Sequence, residues 1–231
     1  SDMDPGDIDS HTGEFSGIGR ASYAPGQIPS KVRNDDAFTS AVTAMAKKYN
    51  IPEDYLYAVM SFETGGSFSP SQKNMAGSGA TGLIQFMPST AKGLGTTTSK
   101  LATMSRAEQM VYVDKYFSNK GIKGGSLSDV YMAVLFPAAV GKSENFVLFG
   151  KGAMKGYTGI AYRQNSGLDI NRDGSVTKAE ASAKVTKHLP KGRIAPIGST
   201  VIDSSGATGF LRSADSSPGQ FGLVDPTPGV T

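Results

Sequence analysis

The sequence predicts a mostly α-helical protein with an irregular extension at each end. Apolar residues in the middle of the chain recur at the helical spacing of three and four, as Phe38, Val42 and Met45 do. No stretch alternates apolar and polar residues in a way that would indicate a β-strand. The two ends, residues 1–33 and 193–231, are rich in Gly, Pro, Ser and Asp and show no helical period.

These patterns predict three parts: a linker or docking arm over residues 1–33, a helical domain over 34–192 and an irregular tail over 193–231. A chain of 231 residues suits one domain of ordinary size with extensions. We expect the two extensions to dock on partner proteins.

Composition excludes several classes of function. The 23 basic and 20 acidic residues give a net charge of +3, which is too small for a nucleic-acid-binding stripe. The chain has no cysteine and only two histidines, far apart in sequence, so neither a zinc site nor a Ser-His-Asp triad is expected. No apolar run approaches the ~20 residues that cross a bilayer, so no membrane span is expected.

Capping signals set the ends of the first two helices. Asn34 or Asp35 is expected to cap the first helix, which ends near Asn50. Pro52 suits the first position of the second helix, and acidic residues follow it where the helix dipole favours them. Gly65 ends this second helix.

Three further helices are predicted downstream. Pro88 opens a short one. Ser105, with a glutamate three residues later, forms a capping box at the start of the next. Ser126 or Ser128 starts the last, over residues 128–136.

Glu63 stands out as an acid on an apolar helix face. Leu56, Val59 and Met60 precede it at helical spacing, which places its carboxyl on the buried side. It also lies in the last turn, where the helix dipole disfavours a negative charge by roughly 0.3–1 kcal/mol. Both effects raise the pKa of the acid, as a general acid acting on a glycosidic oxygen requires. The alternative is a glutamate whose carboxyl reaches solvent past the helix end.

The sequence offers no second acid close to Glu63. No Asp or Glu occurs between Glu63 and Glu108, whereas glycosidases that use two carboxyls hold them ~5–9.5 Å apart. Asp114, Asp129 and Glu144 could fold back, although such residues are more often solvated helix charges. A lone buried acid indicates a reaction in which the substrate supplies its own nucleophile.

Two sequence blocks resemble the soluble lytic transglycosylase family. Residues 63–70 read ETGGSFSP and residues 79–91 read GATGLIQFMPSTA. The family pattern is Glu-Ser, then Phe, then Gly-Ala-x-Gly-Leu-Met-Gln-x-Met-Pro-x-Thr-Ala. The similarity covers roughly residues 35–140, and its first block is similar to versions carried on bacteriophage tails and virions.

The resemblance implies a lysozyme-like domain with a glycan cleft and a reaction without water. Glu63 would protonate the oxygen between N-acetylmuramic acid and N-acetylglucosamine. The same residue would then take a proton from the muramic C6 hydroxyl, which attacks C1 and leaves a 1,6-anhydro end. This agrees with the lone acid inferred from the residues themselves.

The resemblance also implies substrate-binding residues. Gln85 would contact sugar or orient groups near Glu63, and Gly79 and Gly82 would let the backbone approach the glycan, unless they only serve the turn. The family often has Ser where this chain has Ala76, and Ser78 stands nearby.

A second departure concerns a later helix. The family places Ala-Tyr-Asn there, whereas residues 135–137 of this chain read Leu-Phe-Pro. The missing hydroxyl and amide leave the choice between transglycosylation and hydrolysis open. Tyr162 is predicted to supply a substrate-binding hydroxyl, the alternative being a core or surface tyrosine.

Residues 169–180 match the calcium-binding loop of an EF-hand. Oxygen ligands fall at the required positions, with a glycine at the sixth. The predicted Ca²⁺ ligands are Asp169, Asn171, Asp173, Ser175, Thr177 and Glu180. Gly167 argues against an entering helix, so the sequence predicts a half EF-hand in which calcium has a structural role. The alternative is a polar turn that holds no metal.

The predicted fold class is therefore mostly α: a lysozyme-like domain with a half EF-hand calcium loop and irregular N- and C-terminal extensions. The predicted function is peptidoglycan cleavage by a virion tail or baseplate protein, acting in the host periplasm and touching other virion proteins through its extensions. Two alternatives stay open: a hydrolytic muramidase on the same fold, and an inactive virion structural or wall-binding protein.

Overall fold

The computed structural model describes residues 23–74, 77–151, 162, 163 and 165–192, and the backbone of residues 200–202 and 208–210. Helices dominate this described part of the chain, which confirms the mostly α prediction. Its eight α-helices are α1 (Ser30–Arg33), α2 (Asp36–Tyr49), α3 (Glu53–Glu63), α4 (Pro88–Gly93), α5 (Thr98–Thr103), α6 (Arg106–Phe117), α7 (Leu127–Leu135) and α8 (Lys178–Thr186).

Two small antiparallel sheets accompany the helices. In the first, β1 (Val147–Gly150) pairs with β2 (Ser175–Thr177), and Phe149 lies opposite Val176. In the second, β3 (Thr200–Ile202) pairs with β4 (Thr208–Phe210). These strands have only three or four residues each, which is too short to show a period of two in the sequence.

Helix α3 lies at the centre of the fold, in contact with α2, α7 and α8. Its middle residues, Leu56 to Met60, are all buried, because a helix packed on several sides needs apolar side chains around most of its circumference. Phe38 of α2 and Phe68 place their rings edge-on against Tyr57, with ring centroids 6.0 and 6.3 Å away. These contacts fix the middle of α3 within the core.

The predicted capping residues hold most helix ends. Asp35 caps α2 by accepting a hydrogen bond from the Phe38 amide at 3.1 Å, and Asn50 ends that helix with φ 51°. Ser105 forms the predicted capping box at α6. At α7 the cap is Ser126 rather than Ser128, since Ser126 accepts from the Asp129 amide.

Residues 23–33 differ from the prediction of a linker. Ile28 and Val32 are buried in the core, and α1 ends at Arg33, whose Nε donates to the Ile28 carbonyl at 3.2 Å. The sequence does not reveal this burial, because the two apolar residues stand among glycines and prolines that are typical of a linker. The domain thus begins before the predicted boundary at residue 34, whereas residues 1–22 lie outside the described part.

The other differences are also local. Helix α5 was not predicted; Thr97 caps it and Leu101 anchors it in the core. The β3–β4 hairpin lies within the tail predicted to be irregular, and the remainder of residues 193–231 is outside the described part. No helix among the described residues is long and apolar enough to cross a membrane.

Candidate active site

Glu63 is the last residue of α3 and is only 3% exposed. The turn that follows it is held by Thr64, whose Oγ1 donates to the Met60 carbonyl at 2.7 Å and accepts from the Phe68 amide at 2.9 Å. Gly66 adopts φ 83°, where a Cβ would lie 2.8 Å from that of Tyr23. The chain therefore leaves the helix at once, and the Glu63 carboxyl stays buried as its sequence position predicts.

Tyr131 of α7 lies on one side of this helix end. It is fully buried, and its ring packs edge-on against Phe62 with centroids 5.5 Å apart. Burial raises the pKa of Tyr131 well above its ordinary value, and the negative charge of Glu63 raises this pKa further. The tyrosine hydroxyl and the glutamate carboxyl therefore share one buried electrostatic environment.

His188, which follows α8, contacts the same turn of α3. Its Nδ1 shares a hydrogen bond of 2.8 Å with Ser61 Oγ, and its ring packs edge-on against Phe62 with centroids 5.5 Å apart. Burial lowers the pKa of His188, so this imidazole favours its neutral form. Tyr131 and His188 thus hold the residues before Glu63.

The Gln85 side chain stabilises the loop between α3 and α4. Its Nε2 donates to the carbonyls of Gln72 at 2.9 Å and Gly82 at 3.0 Å, and the residue is only 2% exposed. Its backbone has φ 55°, a left-handed conformation in an ordinary residue. Gln85 Oε1 has no hydrogen-bond partner within the described chain and is available as an acceptor.

Gln109 of α6 is a buried anchor for the same loop that sequence reasoning missed. Its Oε1 accepts from the Leu83 amide at 2.7 Å, and its Nε2 donates to the carbonyls of Leu101 and Pro70 at 2.9 and 3.0 Å. Its only sequence signal is a polar side chain beside the apolar Met110. Gln109 therefore fixes the segment that carries the family-like pattern.

The two glycines predicted to face glycan differ in their surroundings. A Cβ on Gly82 would lie 2.4 Å from Gln109 Oε1, so the space beside Gly82 is taken by protein. Gly79 is exposed, with a Cβ position 3.3 Å from Pro88 Cγ. Ser78 is half-buried, and its Oγ accepts from the Ala80 amide at 3.3 Å. Gly79 and Ser78 thus keep access to solvent.

The three acids considered as a second carboxylate all have other partners. Asp114 forms a salt bridge with Lys48 at 2.8 Å. Asp129 pairs with the buried Lys178. Glu144 accepts a short hydrogen bond from Ser128. Each of the three acids thus has an ion-pair or hydrogen-bond partner of its own.

The loop over residues 169–180 is closed by its own hydrogen bonds. Asp169 accepts from the amides of Asp173 at 3.2 Å and Gly174 at 3.0 Å. Glu180 accepts from the Thr177 amide at 2.9 Å, as the third residue of a capping box on α8. The carboxylate oxygens of Asp169 and Glu180 therefore lie against backbone amides of this one loop.

Tyr162 belongs to this loop in the structure. Its hydroxyl donates to Asp169 Oδ2 at 2.7 Å. It also lines a cavity of about 490 Å³ beside the loop, together with Lys151, Ser166, Gly167, Asp169, Arg172, Asp173 and Gly174. Within the described residues, no group of three or more His, Asp or Glu side chains is arranged to hold a metal ion.

Glu63 is thus a buried acid at the end of the central helix of a mostly helical domain. Residues 40–110 match the family model described as Transglycosylase SLT domain. The matched segment runs from α2 into α6 and contains Glu63, Gln85 and Gln109. Neither the curated proteins nor the solved structures give a match to the chain. The family match supports a lytic transglycosylase that cleaves glycosidic bonds in peptidoglycan.

Proposed function

We propose that the chain cleaves peptidoglycan strands between N-acetylmuramic acid and N-acetylglucosamine without water, with Glu63 as acid and then base. The observation that carries this proposal is the 3% exposure of Glu63 at the end of α3, inside the segment that matches the transglycosylase model. A buried carboxyl of this kind keeps its proton more readily than a solvated one, as protonation of a leaving oxygen requires.

The reaction needs only one protein carboxyl. Glu63 gives its proton to the glycosidic oxygen, and the bond between that oxygen and muramic C1 breaks. The Glu63 carboxylate then accepts the proton of the muramic C6 hydroxyl, while the oxygen of that hydroxyl forms a bond to C1. The enzyme regains its starting protonation state and the product carries a 1,6-anhydro ring. The engagement of Asp114, Asp129 and Glu144 elsewhere favours this single-acid route.

Sugar binding is assigned to the loop before α4. Gln85 Oε1 offers a buried acceptor without a partner in the described chain, which suits a sugar hydroxyl or amide. Ser78 and Gly79 lie at accessible positions of the same loop. Gln109 fills the space beside Gly82, and the Tyr162 hydroxyl donates to Asp169, so we assign neither residue to direct sugar contact.

Mass analysis of muropeptides released from purified peptidoglycan tests this proposal. We expect the main product to be lighter than the hydrolytic one by one water molecule. A main product that retains this water would overturn the non-hydrolytic reaction and establish the muramidase alternative. Unchanged peptidoglycan would establish the alternative of an inactive structural or wall-binding protein.

We further propose that the chain is a virion protein that opens the wall locally from the host periplasm, with its extensions bound to tail or baseplate proteins. The support is the similarity of residues 63–70 to virion-borne versions of the motif. Peptides of the chain should then band with phage particles in a density gradient. Their absence from the particle fractions would contradict a virion location.

A structural calcium ion in the 169–180 loop is the last part of the proposal. The donor set suits a hard cation, with Asp169, Asn171, Asp173, Thr177 and Glu180 as side-chain ligands and the Ser175 carbonyl as a sixth. The pairing of Val176 with Phe149 already joins this loop to β1. A bound ion would hold the start of α8 more firmly against the loop. Helix α8 packs against α3, so the ion would also stabilise the surroundings of α3.

A further inference from the structure

Tyr131 has a polar group in an otherwise apolar helix. Residues 130–135 of α7 are all buried, and Tyr131 is the one residue among them with a polar side chain. Its hydroxyl has no hydrogen-bond partner in the described chain. Because burying a hydroxyl without a partner is unfavourable, a phenylalanine would fill this position at lower cost. The Tyr131 hydroxyl is therefore open to donate to a nearby acceptor.

The surroundings of the hydroxyl point to Glu63. Helix α7 packs directly on α3, and the Tyr131 ring rests on Phe62, the residue before Glu63. The charge of Glu63 is also the one charge that raises the pKa of Tyr131, after burial itself.

We propose that Tyr131 is a positioning residue that stabilises the ionised form of Glu63 through its hydroxyl group. This inference rests on the proposed function, in which Glu63 is ionised between its two proton transfers. A phenol O–H directed at the carboxylate would lower the energy of that intermediate state and hold the carboxylate for the second transfer. Catalytic hydrogen bonds of this kind often tighten only when substrate binds.

The family has its tyrosine where this chain has Phe136, whose ring packs on Phe149 at 5.8 Å between centroids. Helix α7 carries its phenol five residues earlier, at Tyr131. The hydroxyl of Tyr162 is already used by Asp169.

Several other polar and ionisable groups on the elements that pack against α3 have partners of their own in the described chain. From the segment after α8, His188 bonds Ser61 and packs on Phe62. From α2, Thr43 Oγ1 donates a hydrogen bond of 2.8 Å to Glu53 Oε2, at the opposite end of α3. Lys178 of α8 faces Asp129 of α7. Tyr131 is thus the group on α7 whose removal should change Glu63 directly.

Titration of the glutamate carboxyl groups by ¹³C NMR tests the inference. The chain has six glutamates, and the Glu63 signal is identified by its loss in Glu63→Gln. Tyr131→Phe should move the Glu63 midpoint to higher pH by about half a unit or more, since the ionised form loses a donor. An unchanged midpoint would overturn the inference.

Tyr57→Phe is the matched control. Tyr57 is also fully buried with an unpartnered hydroxyl, but it lies on α3 itself. Burial raises the pKa of Tyr57 first, and the charges of Glu53, Asp54 and Asp35 raise it further, without a contribution from Glu63. This variant should leave the Glu63 midpoint in place. An equal shift in both variants would mean a general packing effect and would contradict the inference.

The pH dependence of peptidoglycan cleavage separates this inference from the proposed function. Activity should fall on the alkaline side as Glu63 loses its proton, and Tyr131→Phe should move that fall to higher pH while Tyr57→Phe does not. A wild-type protein without activity would remove the proposed function, whereas the NMR midpoint would still decide the role of Tyr131. An active protein with an unmoved midpoint in Tyr131→Phe would remove only the inference.

Discussion

The side-chain amide of Gln109 occupies the space in which Gly82 would carry a Cβ. That Cβ would lie 2.4 Å from Gln109 Oε1 and 2.8 Å from its Nε2. Gln109 cannot easily move, because its two ends bond the backbone of Leu83 and Leu101. The loop that contains Gln85 therefore depends on the absence of a side chain at position 82.

Gly82→Ala should destabilise the protein strongly. A left-handed backbone costs an alanine about 1–2 kcal/mol, and the clash with Gln109 adds roughly 1–3 kcal/mol of overpacking. The free energy of unfolding in urea measures the loss. Gly95→Ala is the control, since Gly95 has a similar φ of 83° but nothing within 4 Å of the added Cβ. Equal losses in the two variants would contradict the role given to Gln109.

Lys178→Met should also destabilise the protein. Lys178 is 1% exposed and pairs with Asp129, whose side chain is 15% exposed. Removal of one partner of a buried pair costs roughly 3–5 kcal/mol, and the partial exposure of Asp129 places this case near the lower value. Lys48→Met removes a comparable ion pair at the surface, with Asp114, and should change the unfolding transition little.

The difference between wild type and Lys178→Met should depend on pH. Burial acts to raise the pKa of Asp129, but the hydrogen bonds from Lys178 and from the Gly141 and Ser126 amides outweigh it and lower this pKa overall. A lowered pKa contributes stability above the unfolded value of about 3.9 and loses it as the pH falls through the folded value. Thermal melts from pH 7 to pH 2 should therefore show the two proteins converging in acid. A constant difference would contradict the pairing.

Calcium should stabilise the protein through the 169–180 loop. An ion at about a hundred times its Kd adds roughly 2.7 kcal/mol, so melting with calcium and with chelator should differ. Glu180→Gln should abolish this difference. Glu108→Gln is the control, because Glu108 has the same place in the capping box of α6 that Glu180 has in α8. A wild-type melting temperature that does not depend on calcium would contradict the proposed calcium site.

Local signals were enough to predict five of the helices, α2, α3, α4, α6 and α7. Asp35, Ser105 and Pro88 each act within one turn of the helix that they begin, so the sequence shows them directly. The burial of Glu63 follows from the spacing of its own helix. These features need no knowledge of which helices pack together.

The parts that could not be predicted depend on contacts between distant segments. Tyr131 matters because α7 packs on α3, and no pattern within α7 reveals that neighbour. Gln109 matters because its amide reaches Gly82 and Leu83 from another helix. Helix α1 was missed for a different reason, since Ile28 and Val32 stand among residues whose composition is typical of a linker.

The most direct test of the central claim compares Glu63→Gln with Glu53→Gln in the clearing of purified cell wall. Both acids are buried in α3, at 3% and 7% exposure, and both changes replace a carboxyl group by an amide of similar shape. Glu53 bonds Thr43 at the far end of the helix. We predict that Glu63→Gln abolishes clearing while Glu53→Gln retains it. Clearing by Glu63→Gln at the wild-type rate would contradict the account.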